Sequence, residues 1–188
     1  MLGDFTEGLA AARHGDIRHG AAAMNEAVGA MRATGAAVGV WYLECLLAEA
    51  ELAAGRVDEA RAALADAAGG IGSGGSRNGA EIVRLQGELA LAEGVDPAAR
   101  ELAERRFTSA MTQARRQGAR TLELRAATGL ARLWAEAGEA GRATELLAPI
   151  ADAVSAGGDT IDVSLARALL GRLGSDAPGA SRRLRAKR

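Results

Sequence analysis

Apolar residues recur at steps of three and four along most of the chain, which is the pattern of one buried face on an α-helix. The pattern is clearest in residues 41–68, where Ala54-Gly55-Arg56 separates two such stretches. Gly55 predicts a turn there, because glycine readily takes the left-handed backbone angles at which helices often end. Asp58 favours the start of the second helix, since a carboxylate is stabilised near a helix N-terminus. This stretch is therefore predicted to form a helical hairpin.

The same pattern predicts helices along the rest of the chain. Asp16, Asp96 and Asp159 each precede an apolar stretch and are expected to start a helix. Pro149 is expected to kink its helix or to restart it locally, because proline removes one helical hydrogen bond. The predicted helical stretches are 4–13, 16–34, 38–68 (the central hairpin), 80–93, 98–117, 120–137, 141–156 and 160–173. The apolar face of the last helix is predicted to consist of Ile161, Leu165, Leu169 and Leu170.

The hairpins repeat. Turn glycines at positions 15, 55, 94 and 138 are 40, 39 and 44 residues apart. A small residue follows five positions after three of these glycines, and a bulky residue follows nine positions after them. The small residues are Gly20, Ala60 and Ala143, and the bulky ones are Met24, Leu64 and Leu147. Tetratricopeptide repeats share this arrangement with a shorter period of about 34 residues. One hairpin cannot bury its apolar face alone, so hairpins are expected to stack.

The sequence thus predicts an all-α, tetratricopeptide-like α-solenoid of about four helical hairpins plus a terminal helix. We expect one repeat domain over residues 1–173, with a flexible Gly/Ser loop at 69–79 and a basic, disordered tail at 174–188. The formal charge of −1 gives no overall attraction to nucleic acid, so only weak contact through the tail is expected. No apolar run reaches the ~20 residues of a membrane span, and a cytoplasmic location is expected.

Three segments resemble a known kind of protein region. They are MRATGAAVGVWYLECLLAEA at 31–50, residues 80–134, and ELLAPIADAVSAGGDTIDVSLARALLGRL at 145–173. The most specific motif is ARRQGARTLELRAATGLARLW at 114–134. Together they resemble the C-terminal tetratricopeptide-like region of large bacterial signalling regulators. Those regulators join a cyclase or a LuxR-type DNA-binding domain to a signal-transduction ATPase. The resemblance implies a helical region for sensing or protein contact, and it implies no catalysis.

The chemistry-bearing residues indicate neither an enzyme nor a cofactor. Gly70, Gly72 and Gly75 match GxGxxG, but that motif binds dinucleotides only between a strand and a helix, and no strand is predicted. His14 and His19 lack a clear third metal ligand. Cys45 lies in an apolar stretch and is interpreted as a small core residue.

Paired carboxylates are plentiful in the predicted helices. Glu49 with Glu51, and Glu101 with Glu104, are the examples that the sequence offers. They are interpreted as surface residues that pair with arginines or face water. No buried acid–base pair is predicted.

Stacked hairpins commonly bind partners on the surface formed by the first helix of each pair. In the tetratricopeptide frame, that predicted groove is lined by Tyr42, Cys45, Glu49, Glu81, Arg84, Glu88, Arg125 and Arg132. The mixed charges suit a protein or peptide segment better than a polyanion. The alternative is that these are ordinary exposed helix residues.

The sequence therefore favours a non-enzymatic interaction module in bacterial signal transduction or transcriptional regulation. Its partner would be a protein or peptide segment, for example from an ATPase, a cyclase or a transcription regulator. The alternative function is a domain of a regulator that senses a small-molecule effector.

Overall fold

The computed structural model of the chain describes residues 1–35, 39–70 and 79–175. In these ranges it contains nine α-helices and no strand, which confirms the all-α class. The helices are α1 (Leu2–Arg13), α2 (Ile17–Ala33), α3 (Val40–Ala53), α4 (Val57–Gly70), α5 (Gly79–Glu93), α6 (Pro97–Arg116), α7 (Arg120–Glu136), α8 (Ala140–Ser155) and α9 (Ile161–Ser175). The flexible loop was predicted to span 69–79, but Gly69 and Gly70 end α4 and Gly79 begins α5. The rest of that loop, and the tail from residue 176, lie outside the described residues.

Glycines with left-handed backbone angles end several helices, as the sequence predicts. Gly15, Gly55, Gly118 and Gly138 have φ values of 103°, 75°, 67° and 83°. Any other residue there would be strained, because Cβ crowds the backbone in this conformation. These residues fix the sharp reversals between consecutive helices.

The helices α2, α6 and α9 start close to the predicted positions, but only one of the three aspartates forms a capping hydrogen bond. Asp96 caps α6, since its carboxylate accepts a hydrogen bond of 2.9 Å from the Ala99 backbone N–H. Asp16 precedes α2 without such a side-chain bond. The prediction that Asp159 caps α9 is wrong. The hydroxyl of Thr160 accepts the bond from Val163 N–H instead, because Thr160 is the residue next to the first helical turn.

The contacts divide the chain into two compact units, and the boundary lies within α6. Unit 1 comprises Met1–Ala103. Consecutive helices from α1 to α5 pack against one another there, and α3 also contacts both α1 and α5. Packing of alternate helices is what stacked hairpins produce. The prediction of one domain over 1–173 stays a prediction.

The crossing of α1 and α2 has almost no space between the two backbones. A Cβ at Gly8 would lie 2.8 Å from the carbonyl oxygen of Gly20. A Cβ at Gly20 would lie 2.5 Å from the backbone nitrogen of Ala12 and would also collide with the Gly8 carbonyl. The small residue predicted at position 20 is therefore required by backbone-to-backbone contact. Ala60 and Met24, two further positions of the repeat pattern, are fully buried as predicted.

Unit 2 begins at Glu104. Its helices α7, α8 and α9 contact one another pairwise. Ala143 and Leu147, the last small and bulky positions of the repeat, are both fully buried. On α7, Gly129 lies against the ring of Phe107, whose nearest carbon would be 2.8 Å from a Cβ at that position.

At Pro149 a kink or a local restart was predicted. Helix α8 does not restart but runs through Pro149 without interruption, and the kink stays a prediction. The predicted apolar face of α9 is wrong. On α9 the buried face consists of Val163, Ala166, Leu169 and Leu173. Ile161 and Leu165 are 64% and 58% exposed. The helix has apolar residues on more than one face, so periodicity alone selected the wrong face.

Candidate functional site

Four of the predicted groove residues converge in unit 1. The guanidinium of Arg84 on α5 donates hydrogen bonds of 2.8 and 3.0 Å to the two carboxylate oxygens of Glu81, one turn earlier. It also donates to Glu49 of α3 at 2.8 Å and to Glu88 at 3.5 Å. We call these four residues the Arg84 cluster. It joins α3 to α5 through side chains that lie 35 positions apart in the chain.

The Arg84 cluster is partly interior. Arg84 and Glu81 are only 5% and 3% exposed. Burial opposes the charge on Arg84, but attraction to Glu81, Glu49 and Glu88 outweighs it and raises the pKa of Arg84. The guanidinium therefore stays charged and is directed at residues of its own chain. Within the Arg84 cluster, Glu49 has a side chain that is 42% exposed and can therefore contact another molecule.

The cluster also corrects the interpretation of carboxylates as surface residues. Glu81 and Arg84 form a buried ion pair that the sequence analysis did not predict. Glu51 pairs with Arg56 as an arginine partner was expected to do, but the carboxylate is only 3% exposed. Buried charges of this kind require a partner, because their desolvation costs several kcal/mol.

The remaining predicted groove residues differ in exposure. The prediction that Cys45 lines the groove is wrong, because it is only 2% exposed. Tyr42 is 45% exposed and packs edge-on against Trp41, with ring centroids 5.6 Å apart. In unit 2, the Arg125 guanidinium lies 3.5 Å from the carboxylate of Asp162 on α9. Arg132 lies on the exposed surface of α7. That these residues contact a partner stays a prediction.

An apolar pocket opens between α1, the start of α2 and the last turns of α3, and we call it the anchor pocket. It encloses about 160 Å³. Its walls are Leu9, Ala12, Arg13, Ile17, Leu46, Glu49, Ala50 and Ala53. Two charged residues of opposite sign, Arg13 and Glu49, thus border an otherwise aliphatic surface. Of the predicted groove residues, Glu49 belongs to both this pocket and the Arg84 cluster.

A second pocket in unit 1, which the sequence analysis missed, lies among α2, α3 and α4. This carboxylate pocket is an open depression of about 490 Å³ that is lined by Arg32, Val40, Trp41, Glu44, Ala65, Asp66, Gly69 and Gly70. Arg32 donates to Glu44 Oε1 from Nε at 2.9 Å and from Nη2 at 2.6 Å. Its Nη2 also lies 2.7 Å from Asp66 Oδ2. Burial opposes the charge on Arg32, but the bonds to Glu44 and Asp66 outweigh it and raise its pKa.

Glu44 is the unusual member of the carboxylate pocket. It is 3% exposed, and its second oxygen, Oε2, accepts no hydrogen bond from the described part of the chain. Buried polar atoms nearly always have a partner, so such an atom needs an explanation. No sequence spacing could have found this site, because three helices contribute its charged side chains.

A third cluster, in unit 2, was also missed. The indole N–H of Trp134 donates to Glu104 at 3.0 Å, and the guanidinium of Arg142 lies 3.6 Å from the centroid of the Trp134 ring. Arg142 also donates to Glu104 at 3.2 Å. The hydrogen bonds and the cation–π contact link the three side chains to one another, so this cluster is explained as packing between α6, α7 and α8.

The described structure adds no support for a metal site, a reactive cysteine or a dinucleotide-binding motif. Among the described residues, no group of three or more His, Cys, Asp or Glu side chains could hold a metal ion. Cys45 is buried, in agreement with its interpretation as a core residue. Gly72 and Gly75 of the GxGxxG match lie outside the described residues, and Gly70 ends a helix. Within the described ranges, no helix has the length and apolar character needed to cross a membrane.

Comparison with known proteins gives no match to a family model, to a curated protein or to a solved structure. The assignment of function therefore depends on the pockets and clusters described above.

Proposed function

We propose that the chain is a non-enzymatic interaction module that binds a segment of a protein partner, with the anchor pocket receiving one apolar side chain of that segment. The observation that carries this proposal is the anchor pocket itself. Its volume of about 160 Å³ is close to that of a cavity that accommodates benzene, and six of its eight lining residues are aliphatic. Protein partners commonly insert a few apolar anchors into such pockets, and those anchors dominate the affinity.

The charged border of the anchor pocket supports a peptide over a purely apolar ligand. Arg13 and Glu49 add a donor and an acceptor to the aliphatic lining. Polar groups at the rim of an interface fix orientation more than they add affinity. Because Glu49 is also held by the buried Arg84, its position is set before a partner arrives. A preorganised acceptor lowers the entropy cost of binding.

The setting proposed for this activity is bacterial signal transduction or transcriptional regulation in the cytoplasm, and the fold a tetratricopeptide-like α-solenoid. The repeat of turn glycines, the buried small and bulky positions, and the contact of alternate helices support the solenoid. The resemblance of residues 114–134 to bacterial signalling regulators supports the setting.

The test uses peptides displayed on phage and selected on the intact chain. Ala53→Phe should block the anchor pocket at an exposed wall position without disturbing the core. The matched control is Ala62→Phe, at an exposed alanine of α4 outside the anchor pocket. We expect selected peptides to share one aliphatic residue, to lose binding to Ala53→Phe, and to retain it on Ala62→Phe. Peptides that bind both variants equally would overturn the assignment of the pocket.

The wider predicted groove is tested separately in unit 2. Arg125→Glu with Arg132→Glu reverses two charges while both positions stay helical. If α7 binds a partner segment, this double variant should lose peptides that were selected on the Ala53→Phe chain, in which the anchor pocket is blocked. Unchanged binding of these peptides would remove Arg125 and Arg132 from the interface.

The second candidate function is effector sensing, and the carboxylate pocket favours it. A ligand that binds only the folded chain raises its melting temperature by an amount that grows with the logarithm of the ligand concentration relative to Kd. A titration with candidate effectors, followed by thermal unfolding, would therefore separate this function from segment binding.

A further inference from the structure

The carboxylate pocket has a charge imbalance that its own residues do not correct. Two carboxylates, Glu44 and Asp66, share one guanidinium, that of Arg32. The three side chains therefore carry a net formal charge of −1. Asp66 is half exposed, so water stabilises part of this charge, but Glu44 is buried. A buried carboxylate with one unused oxygen favours a further hydrogen-bond donor, and a cation most of all.

The apolar walls of this pocket restrict what that donor can be. Val40, Trp41 and Ala65 line it beside the charged residues, and Gly69 and Gly70 add no side chain that would fill it. A bare metal ion would find few oxygen ligands and a wall of carbon. An anion would face Arg32, but that guanidinium already bonds two carboxylates. A protonated amine on an alkyl chain matches this lining, because its charge pairs with the carboxylates and its carbon chain packs against the apolar side chains. An aromatic ring such as that of Trp41 also attracts cations.

We propose that the carboxylate pocket binds a protonated alkyl amine whose alkyl chain lies against Val40, Trp41 and Ala65. Its N–H groups donate to Glu44 Oε2, which solvent does not reach in this structure, so the Glu44 side chain turns this oxygen towards the pocket when the amine binds. Asp66 provides the second acceptor at the mouth of the pocket. The ammonium can belong to a free small amine or to a lysine side chain of another protein, since the recognised group is the same. No residue lines both this pocket and the anchor pocket, so the two proposals stand independently. The amine also gives the effector-sensing function a chemical class.

The experiment measures the fluorescence of Trp41 during titration with n-butylamine hydrochloride. Trp134→Phe serves as the background, because it removes the other tryptophan of the chain. We expect a saturable change in Trp41 emission with butylamine. Tetramethylammonium, which is a cation without N–H donors, and n-butanol, which is a donor without charge, should each bind at least tenfold more weakly. A saturable change with all three probes, or with none, would overturn the proposal.

Variants identify the acceptor. Glu44→Gln keeps the shape of the side chain and an oxygen for Arg32, and it should weaken butylamine binding at least tenfold. Asp66→Asn, at a half-exposed position, should weaken binding severalfold. Glu26→Gln, an exposed carboxylate on α2 that is absent from the pocket, is the matched control. Equal affinity of the Asp66→Asn and Glu26→Gln variants would remove the charge argument even if Glu44→Gln failed to fold.

Two further arms separate the possible sources and the two proposals. A blocked tripeptide with a central lysine, compared with the same peptide carrying N6-acetyl-lysine, reports whether a lysine side chain can enter. If butylamine binds and the lysine peptide does not, the ligand is a free amine. Ala53→Phe should leave butylamine binding unchanged, so loss of peptide binding at the anchor pocket would not count against this site.

Discussion

At the scale of single residues, Gly20 lies against Gly8 where α2 crosses α1, and a Cβ has no room there. Gly20→Ala places a methyl group against the backbone atoms of Gly8 and Ala12, which cannot rotate away. We expect a loss of roughly 1–3 kcal/mol in the free energy of unfolding, measured by urea denaturation.

The matched control for this prediction lies on the same helix. A Cβ at Gly29 of α2 would have no neighbour within 4 Å. Gly29→Ala should therefore stabilise the chain by roughly 0.5–1 kcal/mol through lower backbone entropy in the unfolded state. If both alanines had the same effect, helix propensity and not the crossing would govern position 20.

Arg84 is the second residue whose replacement has a large expected effect. Arg84→Met removes the partner of the buried Glu81, and breaking a buried ion pair in this way costs about 3–5 kcal/mol. Adding Glu81→Gln to that variant should recover part of the loss, because the unpaired charge is then gone. Arg61→Met is the control, since Arg61 pairs with Asp58 and Glu93 at the exposed surface and should have a much smaller effect.

The raised pKa of Arg84 also determines how the loss of stability in Arg84→Met depends on pH. A group whose pKa is higher in the folded state stabilises the fold below its unfolded pKa and loses that stabilisation only as pH rises through the folded value. The unfolded pKa of arginine is already above about 12. The protonation of Arg84 should therefore contribute a constant amount to the difference in unfolding free energy between the wild type and Arg84→Met from about pH 7 to about pH 9. A difference that falls towards pH 9 would show that Arg84 loses its proton in this range.

At the scale of elements, α8 contains the one proline in the interior of a described helix, since Pro97 is the first residue of α6. Pro149 cannot donate to the carbonyl of Glu145, and a proline in a helix interior costs up to about 3 kcal/mol. Because Pro149 is exposed, Pro149→Ala should raise the melting temperature of the chain. Gly141→Ala in the first turns of α8 is the control, and it should give a smaller rise. A lower melting temperature for Pro149→Ala would mean that the ring stabilises α8 by a contact with its surroundings.

The positions of the helices could be predicted from the sequence because their signals are local. A turn glycine, a capping aspartate such as Asp96 and a run of apolar residues each act within a few positions. The buried face of α9 could not be predicted in the same way. Ile161 and Leu165 are as apolar as the buried Val163 and Leu169, so the choice between two faces is made by the helices that pack against α9.

At the scale of the whole molecule, the division into two units predicts separable stability. Gly20→Ala acts in unit 1, and Gly129→Ala in unit 2 would force the ring of Phe107 to move. Native-state hydrogen exchange followed by mass spectrometry should show lost protection in the helices of the substituted unit only. Loss of protection throughout the chain with either variant would show a single cooperative unit.

The candidate sites could be predicted only where they follow helical spacing. Glu81, Arg84 and Glu88 lie three and four positions apart on α5, and the tetratricopeptide frame placed them on one face. The carboxylate pocket was missed because Arg32, Glu44 and Asp66 meet only after three helices have packed. The burial of Glu81 and Arg84 was missed for the same reason. The sequence does not show which charged side chains another helix will pack against.

The Arg84 cluster has a consequence for how the chain folds during its synthesis. Glu49 leaves the ribosome 35 residues before Arg84, so α3 and α4 can form a hairpin while Glu49 is still solvated by water. Glu81 and Arg84, by contrast, are neighbours within α5 and can pair as soon as that helix forms. Helix α5 therefore arrives with its buried charges already neutralised, and only the bond to Glu49 has to be made as it docks.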